Sequence, residues 1–511
     1  MRDTKSGATT AEYVIGDEPL TIERIEELSR APRRLAVSAA ARRAIAKGRA
    51  IVEKAVQDGA PIYGTTTGIG SQKDVSVDAE HLARFGDRMI VSEATDYPGP
   101  AYETNVVRAS LLVLINNMAN GRSGVRIELV EALLELFASR NLPTIRRDTS
   151  FGAADLTPLS QLSLHLLGRA LGDRVSSADG SPRLAAKEST SLIVSNSFAL
   201  GEAALVLTEA LRLLTAFDVA AAASCEGLRA DVEPFMEPAA GGHRGEGQRR
   251  ARQNLHQLLA GSQLWNRDAA RFLQDPLSFR GITLIHGGAY EAWQWARAQV
   301  EMEIGATHEN PMVDLDGERL LTSSSMTPIS PVLALDSLRQ ALAKLAVLSM
   351  ERSLKVQSPP FSGLPVGLAE EGQADGGVLS TNLHYIAAAR LGTLSAAAAP
   401  VLLHYVGLLA DGVEDVTTLF PLSVSQTSVV IDRAWEIASL ELTVAVWAMA
   451  RRRLRREELG AGARLAYDAL LPLLHIGEEG NRIFDMKAIV DRVRHSDLIE
   501  RALPSARMAE H

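Results

Sequence analysis

The sequence predicts a mainly all-α protein, and three features support this fold class. Apolar residues make up 46% of the 511 residues but aromatic residues only 5%, so alanine and leucine carry most of the apolar share, and both favour helices. Long stretches place apolar side chains at three- and four-residue spacing, as one face of a helix requires. Later stretches are apolar on every side, which is typical of helices buried in a bundle.

The first half of the chain is predicted as helices joined by short turns. LTIERIEELSR and the following run from Ser38 to Gln57 show helical spacing, whereas DGAPIYGTTTGIGSQKD is rich in glycine and threonine and indicates an ordered loop. Helical spacing resumes in NVVRASLLVLINNMANG. SFGAADLTPLSQL, residues 150–162, opens another helix after an unusual group of small residues, and the pattern stays helical from 158 to about 230.

The second half continues with long helices and one different segment. PFMEPAAGGHRGEGQRRAR is predicted as a loop leading into a helix, and AYEAWQWARAQVEMEI lies in another long helix. HENPMVDLDGERLLTSSSMTPISP is the one stretch predicted to be irregular or weakly β. Residues 332–355 and 376–456 are predicted as long helices that are apolar all round.

Charge and cysteine content exclude several functional classes. The net charge of −9 includes no basic stripe, which argues against nucleic acid as a partner. Cys225 is the single cysteine, so neither an internal disulfide nor a thiolate metal cluster is expected. The N-terminal residues contain no apolar secretory core, and the longest apolar runs are interrupted by Pro400 and His404, so no membrane span is expected. These patterns favour a cytoplasmic location of the protein.

Two loops carry candidate functional residues. IYGTTTGIG lacks the lysine of a phosphate-binding loop, so it is either a surface turn or a loop that presents Tyr63 over a pocket, where the phenol could act as acid or base. In QDPLSFRG, Arg280 follows a helix-breaking Asp-Pro pair and is either a salt-bridge partner or a guanidinium fork for a substrate carboxylate.

Two further polar clusters give weaker signals. HENPMV contains His308 and Glu309, but no second ligand pair at suitable spacing accompanies them, so no metal site is expected. GVEDVTT contains Glu414 and Asp415, which are interpreted as a charge pair at a helix end.

Seven motifs occur in an order that resembles one family. YGTTTGIG, SGVR, GAADLTPL, KES, QDPLSFR, EIGATHENP and AAARL are similar to motifs of the histidine and phenylalanine ammonia-lyases and their aminomutase relatives, which carry YGxNTGFG, SGxR, GSxGASGDLxPL, KEGLALxNGT, QDxYSLR and ExNSxTDNP. The resemblance covers essentially the whole chain. It implies an ammonia-lyase-like fold with a long central helix bundle shared in a homotetramer.

The resemblance also identifies the small-residue turn. Family members build the electrophile 4-methylidene-imidazol-5-one (MIO) from an Ala-Ser-Gly tripeptide, and alignment on the shared Asp155 and Leu156 places Gly152, Ala153 and Ala154 at these positions. Ala153 has no hydroxyl to lose as water, so the methylidene group cannot form. The resemblance therefore implies a degenerate MIO loop and an enzyme without this cofactor, as in the ergothioneine trimethylamine-lyases.

Other family positions are also changed in this chain. Val194 replaces the Asn of KEGLALxNGT, Leu277 the Tyr of QDxYSLR, and Thr66 the Asn of YGxNTGFG. Glu93 stands at the position of the ring-selecting His or Phe. Met326 replaces the Phe of GGNFHG, and the family's late Glu falls at about Leu391. Asn196 lies two residues beyond Val194. Glu93 is then expected to meet a cationic or hydrogen-bonding part of the substrate.

Other positions are retained. The resemblance assigns Tyr63 as the catalytic base, Arg280 as the carboxylate-binding residue, Gln274 as a neighbouring polar contact and Asn310 as the Asn of the family's DNP motif. The set predicts a small-molecule substrate bearing a carboxylate.

Three functions remain open from the sequence. The first is an MIO-independent enzyme that uses Tyr63 and Arg280 for elimination, addition, cyclisation or isomerisation, including a step in biosynthesis. The second is a non-catalytic relative that acts as a binding protein or partner subunit. The third is an ammonia-lyase or aminomutase with a different electrophile. The expected domains are residues 1–190, with the Tyr63 loop and the degenerate MIO loop, and residues 191–511, with the central bundle.

Overall fold

The computed structural model of the chain describes residues 13–77, 79–168, 184–243, 245–369, 376–404, 407–474 and 484–504. Most of these residues are helical, as the sequence predicts. Part of the predicted helical stretch from 158 to 230, namely residues 169–183, lies outside the described residues.

The helices of the first half begin at side chains suited to capping. Thr21 and Ser38 accept hydrogen bonds from the backbone N–H groups of Arg24 and Ala41, so each satisfies a donor in the first turn. The helices are α1 (Ile22–Ser29), α2 (Ala39–Gln57), α3 (Ala79–Glu93), α4 (Thr104–Ala119), α5 (Ile127–Ala138), α6 (Leu156–Leu166), α7 (Glu188–Ile193) and α8 (Ser197–Leu228).

The second half contains the longest helices and several short ones. They are α9 (Glu246–Leu258), α10 (Leu277–Arg280), α11 (Ile282–Gly305), α12 (Ser330–Val356), α13 (Pro359–Ser362), α14 (Gly376–Ala397), α15 (Phe420–Arg451), α16 (Ala461–Leu470), α17 (Met486–His495) and α18 (Leu498–Ala502). α8 and α15 are buried on nearly all sides, as the all-round apolar pattern predicts.

Two small sheets accompany the helices. β1 (Tyr13–Ile15) pairs in parallel with β2 (Leu35–Val37), and β3 (Met312–Asp314) pairs with β4 (Arg319–Leu321) as an antiparallel hairpin. The hairpin confirms the β character predicted for the HENPMVDLDGERLL stretch. The β1–β2 pair was not predicted, because three residues are too few to show an alternating pattern.

The prediction of helix across residues 376–456 is wrong in one segment. Between α14 and α15, the described residues 398–404 and 407–419 form turns and one 3₁₀ turn, Ala410–Gly412. Pro400 lacks the N–H that a helix interior requires, and Gly407 and Gly412 adopt positive φ angles of 96° and 85°. This interruption creates a segment that lies in the candidate site.

The chain divides into two compact units that are interleaved along the sequence. The first comprises Met1–Val206, Arg297–Leu333 and Val401–Val424, and the second comprises Leu207–Ala296, Ala334–Pro400 and Ser425–His511. In the first unit α3, α6 and α7 pack against one another, and α4 packs against both α1 and α5. In the second unit α16 packs against α9 and α18. The sequence, in contrast, predicts a single domain boundary at residue 190.

The described helices do not meet the requirements of a membrane span. None is both long enough and apolar enough to cross a bilayer.

Candidate active site

The Tyr63 loop of the first unit is held by its own backbone and by one threonine. Thr66 Oγ1 accepts a hydrogen bond from the Ile62 N–H at 2.6 Å and donates to the Ala60 carbonyl at 2.8 Å. Gly64 adopts φ 62°, a conformation that favours glycine. Thr66 therefore closes the loop from the position where the resembling family carries asparagine.

The phenol of Tyr63 has a fixed position within this loop. Its oxygen accepts a hydrogen bond from the backbone N–H of Gly70 at 3.0 Å, and the side chain is half-buried. The amide holds the oxygen while leaving the hydroxyl proton out of this bond. The loop is therefore ordered, and its own backbone fixes the phenol.

The loop lies beside α3 and α7. A Cβ atom placed on Gly64 would lie 2.5 Å from Thr190 Cγ2 and 3.9 Å from Met89 Cε, so no larger residue fits at this position. Met89 lies one helical turn before Glu93, the last residue of α3. Glu93 is half-buried, and this burial raises the pKa of its carboxyl.

The small-residue turn brings together several of the predicted site residues. The Gly152 carbonyl accepts hydrogen bonds from Asn196 Nδ2 at 3.1 Å and Thr418 Oγ1 at 2.9 Å. The Ala154 N–H donates to the Met326 carbonyl at 3.1 Å. Asn196 and Met326 therefore contact the turn directly, although Met326 does so through its backbone.

The residues of the turn do not fit an MIO. Ala153 offers no hydroxyl, and the nearby Ser150 hydroxyl lies 3.0 Å from the Ala154 carbonyl and 2.8 Å from Asp155 Oδ1, where it stabilises the turn. Gly152 has φ 92°, and a Cβ there would lie 2.2 Å from Thr418 Oγ1. Alanine, which begins the family's tripeptide, is therefore strained and crowded at this position.

Asp155 links the turn to the start of α8. Its Oδ2 accepts hydrogen bonds from the backbone N–H groups of Phe198 at 3.0 Å and Ala199 at 3.1 Å, so it satisfies two donors at the helix N-terminus. The side chain is fully buried. Burial raises the pKa of Asp155 to about 6, and the hydrogen bonds offset only part of this shift.

This pKa predicts a specific dependence of stability on pH. Because the pKa in the folded protein lies above the ordinary value, the stabilisation linked to the protonated carboxyl is complete below about pH 4 and is lost as the pH rises through about 6. A shift of about two units corresponds to about 3 kcal/mol. Between pH 4 and 7, the free energy of unfolding should therefore fall by about 3 kcal/mol more in the wild type than in Asp155→Asn, as measured by urea denaturation. Parallel profiles of the two proteins would contradict the assignment.

The segment between α14 and α15 connects the turn to the Tyr63 loop. The Leu419 N–H donates to the Phe151 carbonyl at 3.0 Å. At the other end, Ala410 Cβ lies 3.3 Å from where a Cβ on Gly70 would be. Since Gly70 also holds the Tyr63 phenol, this segment brings the two loops into one region of the first unit.

Glu414 lies within this segment and was not identified as a site residue from the sequence. Burial raises the pKa of its carboxyl, and the negative charge of Glu93 raises it further. The two carboxyls are therefore neighbours. Glu414 lies outside the helices, between the 3₁₀ turn and α15, so its interpretation as a helix-end charge is wrong. The interruption of the apolar pattern near Pro400 was the available signal.

Three of the resembling motifs form a scaffold of largely buried polar contacts in the first unit. Lys187 Nζ donates to Glu309 Oε2 at 2.7 Å and to the Ser123 carbonyl at 2.9 Å. Arg126 pairs with the buried Glu188 at 2.7 Å. Asn310 Oδ1 accepts from the Ser323 N–H at 3.1 Å, so its amide oxygen positions the segment that leads to Met326.

The remaining predicted residues lie in the second unit. Gln274 and Leu277 are exposed, Leu277 by 66%. Arg280 is the last residue of α10, and its Nε is buried without a hydrogen-bond partner. No acidic side chain among the described residues of this unit forms an ion pair with Arg280. Its guanidinium is thus available to a ligand.

Among the described residues, no group of three or more histidine, cysteine, aspartate or glutamate side chains is arranged to hold a metal ion.

Comparisons with known proteins agree with the fold. A model of the aromatic amino acid lyase family matches residues 20–471. Histidine ammonia-lyase 1 of Fusobacterium nucleatum is 26% identical over 96% of this chain and 97% of its own length, and histidine ammonia-lyase of Symbiobacterium thermophilum is 29% identical over 94% and 96%.

Solved structures give the same result for the fold. Ergothionase from Treponema denticola, an ergothioneine-degrading enzyme, superposes with a TM-score of 0.86 at 23% identity and covers 96% of this chain and 99% of its own. Histidine ammonia-lyase from Trypanosoma cruzi gives a TM-score of 0.83 at 23% identity, with coverage of 98% and 96%. The predicted ammonia-lyase-like fold is confirmed.

Proposed function

The chain belongs to the aromatic amino acid lyase family, and on that premise we propose that it is a carbon–heteroatom lyase that works without MIO. Its substrate is a small, amino-acid-derived molecule that bears a carboxylate. The observation that carries this proposal is the turn at residues 152–154, where Ala153 has no hydroxyl and Gly152 has no room for a Cβ. The fixed Tyr63 phenol supports retained catalysis.

The chemistry follows from the leaving group. An electrophile such as MIO is needed because an amino group departs poorly from an unactivated carbon. A quaternary ammonium departs as a neutral tertiary amine and needs no such help. Tyr63, as the phenolate, takes the proton from the β-carbon, the C–H electron pair becomes the new double bond, and the C–N bond breaks with its electrons on nitrogen. The reverse addition, a cyclisation or an isomerisation uses the same groups.

Arg280 supplies the anchor for the substrate carboxylate. A guanidinium presents two parallel N–H donors that match both oxygens of a carboxylate. The buried Nε of Arg280 has no protein partner among the described residues, and leaving it unpaired costs free energy. A bound carboxylate removes this cost.

Glu93 and Glu414 supply recognition of a positive charge. Their neighbouring carboxyls have raised pKa values because both are partly buried and because Glu93 acts on Glu414. A cationic or hydrogen-bond-donating part of the substrate would relieve this repulsion. Two neighbouring carboxyls suit a cationic substrate group such as the quaternary nitrogen of an amino-acid betaine. In such a substrate the quaternary nitrogen is also the leaving group.

The decisive experiment compares leaving groups. Purified enzyme is incubated with aromatic amino acids and with their N-trimethyl betaines, and the unsaturated acid is followed by near-ultraviolet absorbance. We expect turnover of a betaine and none of the primary amines. The intact mass of the protein should equal the mass of the sequence. Loss of two water molecules, or turnover of the primary amines, would instead favour an electrophile-dependent ammonia-lyase.

The anchor role predicts a large effect of a conservative substitution. Arg280→Lys keeps the charge but loses the two-point geometry, so it should weaken binding of the substrate or of a carboxylate inhibitor by roughly ten- to a hundredfold. The measurement is KM together with calorimetric Kd. Thermal stability should be unchanged. The variant should still prefer the carboxylate to its carboxamide analogue, because it keeps the charge, but by a smaller factor than the wild type, because it loses the fork. If the wild type already binds both equally, Arg280 is not the anchor.

A homotetramer completes the proposal. Leu273 is fully exposed and Leu403 is 83% exposed in the single chain, and large exposed apolar side chains of this kind mark contact surfaces. Leu273 directly precedes Gln274, so a neighbouring subunit seated there would lie beside the proposed substrate contacts. Multi-angle light scattering at micromolar concentration should give four chains, and a monomer would contradict this assembly.

A further inference from the structure

A polar cavity lies in the second unit, near the C-terminal ends of α8 and α15. Its volume is about 460 Å³, which is sufficient for a small metabolite. Arg229, Arg267 and Arg452 line it together with Gln263 and Asn266. Its lining includes none of the residues Gln274, Leu277 and Arg280, so the proposal below does not rest on the proposed function.

The arginines of this cavity are bonded to carbonyl groups and not to carboxylates. Arg452 donates through Nε to the Gly227 carbonyl at 2.7 Å and through Nη2 to the Leu228 carbonyl at 3.3 Å. Arg229 donates through Nε and Nη2 to the Ala269 carbonyl at 3.2 and 2.9 Å. The Nη1 groups of both have no partner among the described residues. Their geometry is thus fixed while their charge is not neutralised.

The two acids that line the cavity already have other partners. Glu226 accepts a hydrogen bond from the Gly460 N–H at 2.8 Å, and burial raises the pKa of its carboxyl, which disfavours the charged form. Glu458 accepts from the backbone and the guanidinium of Arg455 at 2.7 and 3.0 Å. Neither carboxylate is therefore available to balance the three arginines.

We infer that this cavity is a binding site for a small anionic molecule that carries a phosphate or a carboxylate group. Two guanidinium groups held by carbonyls present their free N–H donors to the same space, which suits a multidentate oxyanion. Arg267 is exposed at the rim and adds a third positive charge. Leu264, Leu364 and Leu454 provide an apolar wall for the body of the ligand.

The electrostatics of Arg452 agree with this assignment. Burial lowers its pKa to about 10, and the positive charges of Arg271 and Arg229 contribute to the shift. Positive charges held together without a counterion repel one another, and a bound anion would remove this cost.

Calorimetric titration of the full-length protein tests the inference. Sodium pyrophosphate and sodium citrate serve as the phosphate and carboxylate probes, with ionic strength held constant by sodium chloride. We expect saturable binding of at least one probe, with one site per chain, and the tighter probe identifies the anionic group. Absence of saturable binding of both probes would overturn the inference.

Variants locate the bound anion. Arg267 is the first choice, because it is exposed and makes no hydrogen bond to another described residue. Arg267→Gln should weaken binding by about tenfold. Arg229→Gln should weaken it at least as much. Arg492→Gln, at another exposed arginine of the same unit, should leave affinity unchanged. Loss of binding in Arg280→Lys, or equal loss in the Arg492 control, would assign the anion elsewhere.

Discussion

Replacement of Tyr63 by phenylalanine is expected to reduce kcat by about 10²- to 10⁴-fold, the contribution of a positioned general acid or base. The substitution removes only the hydroxyl, whose oxygen is held by the Gly70 N–H at 3.0 Å. KM should change little, because the carboxylate anchor lies elsewhere. The measurement is steady-state turnover of the substrate that the leaving-group comparison identifies.

Two comparisons separate loss of chemistry from loss of structure. Tyr97→Phe makes the same chemical change at a tyrosine of the same unit that is 64% exposed, and it should retain full activity. Thr66→Ala removes the hydroxyl that bonds to Ile62 and Ala60, so it should loosen the loop and reduce kcat while leaving the phenol present. If Tyr63→Phe retains wild-type turnover, the phenol is not the base, and another group must move the proton.

Some features of the candidate site can be predicted from the sequence, and others cannot. The motifs identify Tyr63, Asn196 and the turn at 152–154. In the structure Asn196 is bonded to the Gly152 carbonyl, and the segment between α14 and α15 contacts both the turn and the Tyr63 loop. These motifs are local in the chain and resemble a family pattern closely, so their positions could be read without knowing the fold. The role of Thr66 in closing its loop could not, because it depends on two backbone atoms that only the folded loop brings within reach.

The position of Glu414 near Glu93 could not be predicted from the sequence. Two adjacent acids before a helical pattern are usually a helix-end charge pair, and the helix was extended across residues 398–419 because alanine and leucine dominate that stretch. The structure interrupts the helix there and brings Glu414 near Glu93, more than 300 positions earlier in the chain. A contact at this separation leaves no periodic signal in either segment.

Several polar residues of the resembling motifs instead serve the scaffold. In the resembling motifs SGVR, KES and HENP, the residues Lys187, Glu309 and Ser123 are bonded to one another. Lys187 and Glu309 are almost fully buried, with side-chain exposures of 0% and 2%. The family resemblance therefore combines residues that act on substrate with residues that hold the loops in place.

Removal of one partner of this buried pair is expected to have the largest effect on stability. Burial raises the pKa of Glu309, and the charge of Lys187 offsets part of that shift, so each charge compensates the other in a region that water does not reach. Glu309→Gln leaves the Lys187 ammonium without its counterion. Breaking a buried pair in this way costs about 3–5 kcal/mol, which is a large part of the stability of an ordinary domain.

Guanidinium denaturation monitored by circular dichroism measures this loss in the free energy of unfolding. The matched control is Asp491→Asn, which breaks the ion pair between the exposed side chains of Lys487 and Asp491 at 3.0 Å and should cost at most about 1 kcal/mol. The double variant Lys187→Met and Glu309→Leu removes both buried charges, so its loss should be smaller than that of Glu309→Gln alone. If Glu309→Gln costs no more than the exposed control, the buried pair does not hold the scaffold, and the Tyr63 loop and the turn must be positioned by backbone hydrogen bonds alone.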